Sequence, residues 1–183
     1  MTTSVRGGLV GLALIAVLSA AACNDQAATS TRTSTSVAPT ATMTSSSSPT
    51  ETDPQLAGAQ AVVRAFWSRV DALGADPKRS LDELTSVARG QTLETWRELL
   101  TQRRRQAHRQ VGRTSIVSSE ASRSGGKVTV DTCIDVSKTS LVDEDGKSVV
   151  AVNRAPRVRY TSVVERGTNG KYYVVQDTAV ETC

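Results

Sequence analysis

Aromatic residues and histidine are scarce in this 183-residue sequence. Phe, Trp and Tyr together make up 3% of it, and His108 is its one histidine. Histidine is the most frequent general acid or base in enzymes, and one copy flanked by arginines cannot complete a Ser-His-Asp or Cys-His arrangement. The composition therefore argues against most enzyme classes, and we expect no catalytic residue.

Cysteine is also scarce, and the spacing typical of metal ligands is missing. The three cysteines are Cys23, Cys133 and Cys183, and no CxxC or HxxxH pattern occurs. A zinc site needs three or four closely spaced Cys, His or carboxylate ligands. The acidic turn at 143–146 lacks the spaced ligands and the distal Glu of a calcium loop. We expect neither a metal nor a cofactor.

A short apolar run near the amino terminus predicts export. Residues 7–18 carry no charge, and four small residues at 19–22 precede Cys23. The run is shorter than the roughly 20 residues that span a bilayer. Residues 1–22 are therefore predicted to be a signal peptide and not a stable transmembrane anchor.

The segment Ser19-Ala20-Ala21-Ala22-Cys23 resembles the lipobox of bacterial lipoproteins, although Ala20 stands where leucine is usual. The resemblance implies cleavage by signal peptidase II and a diacylglyceryl group on Cys23. That lipid would anchor the chain to the outer face of the cytoplasmic membrane. An ordinary secretory signal and an uncleaved anchor are the alternatives, and all three export the chain.

Residues 23–53 are predicted to form a disordered tether. Between 29 and 52, sixteen of 24 residues are Ser or Thr, and none is aromatic. Such a segment buries too little apolar surface to offset the entropy of ordering. A glycosylated stalk is the alternative interpretation.

The cysteines beyond Cys23 predict a disulfide. If Cys23 carries a lipid, Cys133 and Cys183 remain in a chain that has left the reducing cytosol. An oxidising compartment and an even remainder favour a Cys133–Cys183 bridge. Two unpaired thiols are the alternative.

Residues 54–183 are long enough for one domain, and their pattern predicts helices first and strands afterwards. Apolar residues at a three-four spacing predict a helix from Leu56 to Leu73. Ser80 and Glu83 suggest a capping box for a short second helix that stops at Gly90. A third helix is predicted over Thr92–Gln110, with acids in its first turns and arginines in its last.

Beyond Gly112 the apolar period becomes two, which predicts antiparallel strands. In the second strand, one face carries valines and Ile134, and the other carries Asp131, Cys133 and Asp135. The fold class is therefore α+β, with three helices packed on a curved antiparallel sheet of four to five strands. The predicted strands are Arg113–Ser122, Lys127–Lys138, Ser148–Val152, Arg157–Arg166 and Lys171–Thr182.

The order of elements and three segments resemble the nuclear transport factor 2-like, or cystatin-like, superfamily. These segments lie at 62–67, 127–133 and 170–177, and the last two are similar to small lipoproteins of actinobacteria and their phages. The resemblance implies a cone formed by a bent sheet and closed by helices. Enzymes of the superfamily use a carboxylate base with Tyr or Asp donors, for which Asp131, Asp135 and Tyr160 are the plausible analogues. The strand alternation turns both acids away from a Val/Ile interior.

Cones of this superfamily often enclose an apolar pocket, which suggests a pocket-lining role for the aromatic residues. The alternative is that they fill the core. The candidates are Phe66, Trp67, Trp96, Tyr160 and Tyr172.

A basic cluster near the end of the third helix suggests an anionic partner, such as an envelope polymer or lipid head groups. Export argues against nucleic acid as the partner. A solvated helix end that matches the helix dipole is the alternative. The arginines are Arg103, Arg104, Arg105 and Arg109.

The sequence thus predicts a membrane-tethered, non-enzymatic interaction or scaffold module of the cell envelope. A small-ligand or lipid-binding cone is the first alternative, and a cavity of about 300 Å³ or more with convergent polar groups would favour it. A phage-encoded lipoprotein that excludes superinfecting phage is the second.

Overall fold

Helices precede strands along the described chain, so the α+β class is confirmed. The computed structural model describes residues 53–183; the predicted signal peptide, Cys23 and nearly all of the predicted tether lie outside the described residues. The helices are α1 (Pro54–Ala75), a 3-10 helix (Leu81–Ser86) and α2 (Gly90–Arg105). The strands are β1 (Arg109–Val111), β2 (Ser115–Ser124), β3 (Lys127–Asp135), β4 (Ser140–Val142), β5 (Arg157–Arg166) and β6 (Tyr172–Glu181).

The described strands form two antiparallel sheets, not the single sheet that the sequence predicts. The larger sheet has the order β2-β3-β5-β6, and β1 pairs with β4 in a second sheet of two strands. The expected edge strand at Ser148–Val152 is wrong, because this segment contributes a single bridge, from Ser148 to Val142. β1 pairs with β4, a strand of three residues, which is too short to show an alternation of apolar and polar residues in the sequence.

The predicted third helix is five residues too long, because α2 ends at Arg105. Ala107 adopts a left-handed conformation with φ 53°. The His108 N–H donates to the Arg103 carbonyl at 2.8 Å, which closes the last turn as in a Schellman motif. Glycine is the usual residue where Ala107 stands, so the sequence does not indicate that the helix ends here.

The predicted second helix is a single 3-10 helix, and its capping box does not form. The Ser80 hydroxyl accepts a hydrogen bond from the Asp82 N–H at 3.2 Å. The Glu83 carboxylate does not reach back to the cap, since it pairs with Arg69 and Arg79. Glu83 therefore joins the 3-10 helix to α1.

The core lies between the helices and one face of the four-stranded sheet. Val128, Val130 and Ile134 of β3 are buried on this face, as the strand alternation predicts. Phe66, Leu84 and other fully buried side chains pack against them. The buried apolar stripe of α1 explains why a helix with no acid in its first turn and no base in its last is stable.

The two ends of the sheet differ in what they carry. At the first end, Arg123 donates to Asp53 at 3.1 Å beside the turn between β2 and β3, and we call this the Asp53 end. At the other, Ser115, Asp135 and Arg157 are neighbours across three strands, and we call this the Arg157 end. Among residues 53–183, no helix is long and apolar enough to cross a membrane.

Candidate functional site

Four of the five predicted pocket residues come together in one aromatic cluster. Phe66, Trp67, Trp96 and Tyr160 make edge-to-face contacts with ring centroids 4.7–5.7 Å apart. Tyr172 lies apart, beside Gly58 at the Asp53 end. Because the rings touch one another, much of their surface fills the core.

The cluster also forms the wall of a cavity of about 200 Å³ near the Arg157 end. Trp67, Trp96 and Tyr160 line it, together with aliphatic side chains of α1, β3 and β5. Its volume is below the 300 Å³ that would favour a small-ligand carrier as the main function.

Asp71 is the acidic residue on the cavity wall, and its carboxylate is fully engaged. Oδ1 accepts hydrogen bonds from Gln110 Nε2 at 2.6 Å and Thr114 Oγ1 at 2.8 Å. Oδ2 accepts from the Thr114 backbone N–H at 2.8 Å. Asp71 therefore ties α1 to β1 and to the segment that leads into β2, and has little capacity left for a ligand.

The four arginines of the predicted anionic-partner patch do not share one exposed surface. Arg105 and Arg109 are exposed. Arg104 donates to the Arg79 carbonyl at 2.9 Å, and its Nε is buried without a partner. Arg103 turns into the cavity, where burial lowers the pKa of its guanidinium.

Asp177 is a half-buried acid that no pattern in the sequence marks. It accepts a hydrogen bond from Ser162 Oγ at 2.7 Å, while its Oδ2 is shielded from solvent without a partner. Burial raises the pKa of Asp177 to about 6, and the hydrogen bond from Ser162 opposes the shift. Asp177 does not line the cavity, so it is not in position to contact a ligand there.

The two acids considered as enzyme analogues lie on the sheet face away from the helices. Asp131 accepts from Thr161 Oγ1, and Asp135 pairs with Arg157 at 3.3 Å. Hydrogen bonding by Ser137 lowers the pKa of Asp135, and Arg157 lowers it further by a smaller amount. Of the three suggested analogues, only Tyr160 reaches the cavity. Within residues 53–183, no cluster of three or more His, Cys, Asp or Glu side chains is placed to hold a metal ion.

Cys133 and Cys183 form a disulfide, in agreement with the predicted pairing. Cys133 belongs to β3, and Cys183 follows β6, with β5 lying between these two strands. The bridge therefore crosses a strand and fixes the end of edge strand β6 to the middle of the sheet.

All four strongly exposed large apolar side chains of the described chain lie at the Arg157 end. Val117 and Val180 are the unpaired residues of bulges in the edge strands β2 and β6. Val149 and Val152 lie in the connection from β4 to β5, and Val152 is fully exposed. An open cleft of about 550 Å³ adjoins Val152.

Fold and site together define an α+β domain with helices packed on an antiparallel sheet. The sequence matches no protein-family model and no curated protein. It is similar in structure to the intermembrane space region of the chloroplast protein ARC6, with 12% identity and a TM-score of 0.52 over 69% of this chain and 97% of that chain. A structure from Catenulispora acidiphila has 13% identity and a TM-score of 0.46, over 70% of this chain and 95% of its own. At such low identity, the likeness to the ARC6 region concerns the fold alone.

Proposed function

We propose that the chain is an exported lipoprotein whose folded domain is a non-enzymatic interaction module of the cell envelope. A diacylglyceryl group on Cys23 would anchor it to the outer face of the cytoplasmic membrane. The signal peptide and lipobox pattern support the anchor. The distribution of exposed apolar residues supports the interaction role.

The valines at the Arg157 end are the observation that carries this proposal. The chain enters the domain at Asp53, so a tether attached there leaves the Arg157 end as the part farthest from the attachment point. About thirty tether residues would reach roughly 30 Å. Single exposed apolar residues are common on soluble proteins, so the support comes from the fact that all four lie at the same end of the domain.

The finer description of the fold is also part of the proposal: the helices and the larger sheet form the cone of the nuclear transport factor 2-like superfamily. Bulges in β2 and β6 support a bent sheet, since each bulge bends its strand. The cavity between the helices and the sheet supports the same interpretation. An experimental structure with a flat sheet would contradict it.

The anchor is tested by replacing the lipid-bearing thiol. We expect the Cys23→Ala variant to lose labelling by a fatty-acid analogue and to leave the membrane fraction or remain unprocessed. The paired Cys133→Ser and Cys183→Ser change removes the other two cysteines together and keeps the label, so it is the control. Unchanged labelling of Cys23→Ala would contradict the anchor.

The interaction surface is tested by site-specific photo-crosslinking in membranes of the native host. A photoreactive residue at position 149 or 152 is expected to crosslink the same protein partner. The matched control is position 124, an exposed site at the Asp53 end. Equal crosslinking from both ends, or none from positions 149 and 152, would refute a partner at the Arg157 end.

A further inference from the structure

The cavity near the Arg157 end has a charge composition that the interaction role does not explain. It lies between the second half of α1, the α2 residues Trp96 and Arg103, and the adjoining ends of β3 and β5. Apolar and polar side chains share its wall about equally, and two arginines, Arg103 and Arg154, reach it. Its one acid, Asp71, already accepts three hydrogen bonds.

Arg103 lacks a counter-charge in the described chain. It forms no ion pair with any Asp or Glu of residues 53–183. Of its neighbours in α2, Arg104 donates to a backbone carbonyl, and Arg105 is exposed to solvent. A partly buried guanidinium without an anion is unfavourable, because it has lost water contacts and gained no partner.

The wall carries further donors besides Arg103. The Trp67 indole N–H is buried without an acceptor. Tyr160 lies near Arg103, and burial raises the pKa of its hydroxyl. Arg154 donates through one nitrogen to the carbonyls of Val136 and Thr139, at 2.8 and 2.7 Å, which holds its side chain at the cavity.

We propose that this cavity binds a small carboxylate that has an apolar body, with Arg103 as the group that recognises its charge. Guanidinium pairs well with the planar carboxylate, and such charge-assisted hydrogen bonds are stronger than neutral ones. The Tyr160 hydroxyl is a further donor for the same group. The proposed carboxylate site does not depend on whether Cys23 carries a lipid.

The walls select the body of the ligand. Val70, Ile134 and Val158 offer an apolar surface to the body of a ligand, and a bare anion such as phosphate would leave that surface uncovered. The volume of about 200 Å³ is below that of pockets for drug-sized molecules, which limits the ligand to about the size of benzoate. Two guanidiniums exclude a cation of the same size.

Binding is measured by tryptophan fluorescence and calorimetry on the full chain in neutral detergent. Trp67 and Trp96 are the two tryptophans of the sequence, and both line the cavity, so a ligand there alters their emission. We expect saturable binding of benzoate and at least about tenfold weaker binding of neutral benzamide. Equal binding of benzamide, phosphate or benzyltrimethylammonium would overturn the carboxylate assignment.

Variants locate the charge contact. Arg103→Gln is expected to weaken benzoate binding by about tenfold or more, and Tyr160→Phe by a smaller factor. Arg105→Gln is the matched control, since it removes the same charge from an exposed position two residues away and leaves affinity unchanged. If Arg103→Gln fails to fold, Arg103→Lys takes its place. Lysine keeps the positive charge but lacks the planar guanidinium group, so benzoate binding is still expected to weaken. Equal affinity in the Arg103 and Arg105 variants would reject the site.

Discussion

Ser162 Oγ donates a hydrogen bond to Oδ1 of Asp177 across β5 and β6, at 2.7 Å, on the sheet face that packs against the helices. The second carboxylate oxygen is shielded without a partner. One hydrogen bond does not replace the water that an ionised carboxylate loses on burial. The pKa of Asp177 is accordingly raised to about 6.

The raised pKa of Asp177 predicts that the protein loses stability as the pH rises. Between about pH 4 and pH 6 the folded protein binds more protons than the unfolded chain, so its free energy of unfolding falls across this interval. The contribution is fully present below about pH 4 and lost above about pH 6. We expect the free energy of unfolding of the natural protein, relative to Asp177→Asn, to fall by about 1–3 kcal/mol.

Urea unfolding at pH 4, 5, 6 and 7 measures this difference. Asp145→Asn is the matched control, because Asp145 is exposed in a turn. A difference between the natural protein and Asp177→Asn that does not change with pH would show that the carboxylate titrates normally.

Asp177 also shows where sequence patterns stop being informative. A strict alternation from the buried Val174 would turn Gln176 inward and Asp177 outward. The pairing shifts by one residue at Val175, and beyond this bulge Asp177 faces the helices beside Ser162. No residue type in the sequence marks this bulge. In β3, where the pairing is regular, the predicted inward and outward faces are confirmed.

The candidate cavity was predictable in part. The spacing in α1 placed Phe66 on the core stripe, and the aromatic residues were the natural pocket candidates. The inward turn of Arg103 was not predictable, because the end of α2 depends on the left-handed Ala107 and on pairing between β1 and β4. A run of arginines at a helix end is usually solvated, and only the packing separates Arg103 from exposed Arg105.

The disulfide predicts a measurable loss of stability on reduction. Cys133 and Cys183 are 50 residues apart, and cross-linking a loop of this length stabilises a domain by up to about 4 kcal/mol. We expect reduction, or the paired Cys133→Ser and Cys183→Ser change, to lower the free energy of unfolding by about 2–4 kcal/mol. Intact mass should rise by about two daltons on reduction. The double variant is the control, and its stability should not respond to reductant.

Asp71 predicts a local loss of structure when its carboxylate is removed. Asp71→Ala leaves the Gln110 amide, the Thr114 hydroxyl and the Thr114 N–H without their acceptor. We expect the free energy of unfolding to fall by about 2–4 kcal/mol, and Asp71→Asn to lose less because it keeps one oxygen acceptor. Hydrogen exchange at the Thr114 amide is the specific reporter. Unchanged protection of that amide in Asp71→Ala would contradict the bond.

Two glycines with the same backbone conformation separate backbone strain from steric conflict. Gly112 and Gly126 both have φ 78°, a left-handed value that L side chains rarely adopt. A Cβ at position 112 would lie 1.8 Å from the Lys138 carbonyl oxygen, whereas at position 126 it would meet nothing within 4 Å. Gly126→Ala therefore measures strain alone, at about 1–2 kcal/mol.

Gly112→Ala adds the cost of moving the backbone at Lys138. We expect its loss in free energy of unfolding to exceed that of Gly126→Ala by about 2 kcal/mol or more, measured by urea unfolding of both variants. The displaced segment includes Thr139, which lines the cavity, so benzoate binding should weaken in Gly112→Ala and persist in Gly126→Ala. If both variants lose the same free energy of unfolding, the backbone at Lys138 moves away from a Cβ at position 112 at no cost. The close contact between Gly112 and Lys138 would then not constrain the fold.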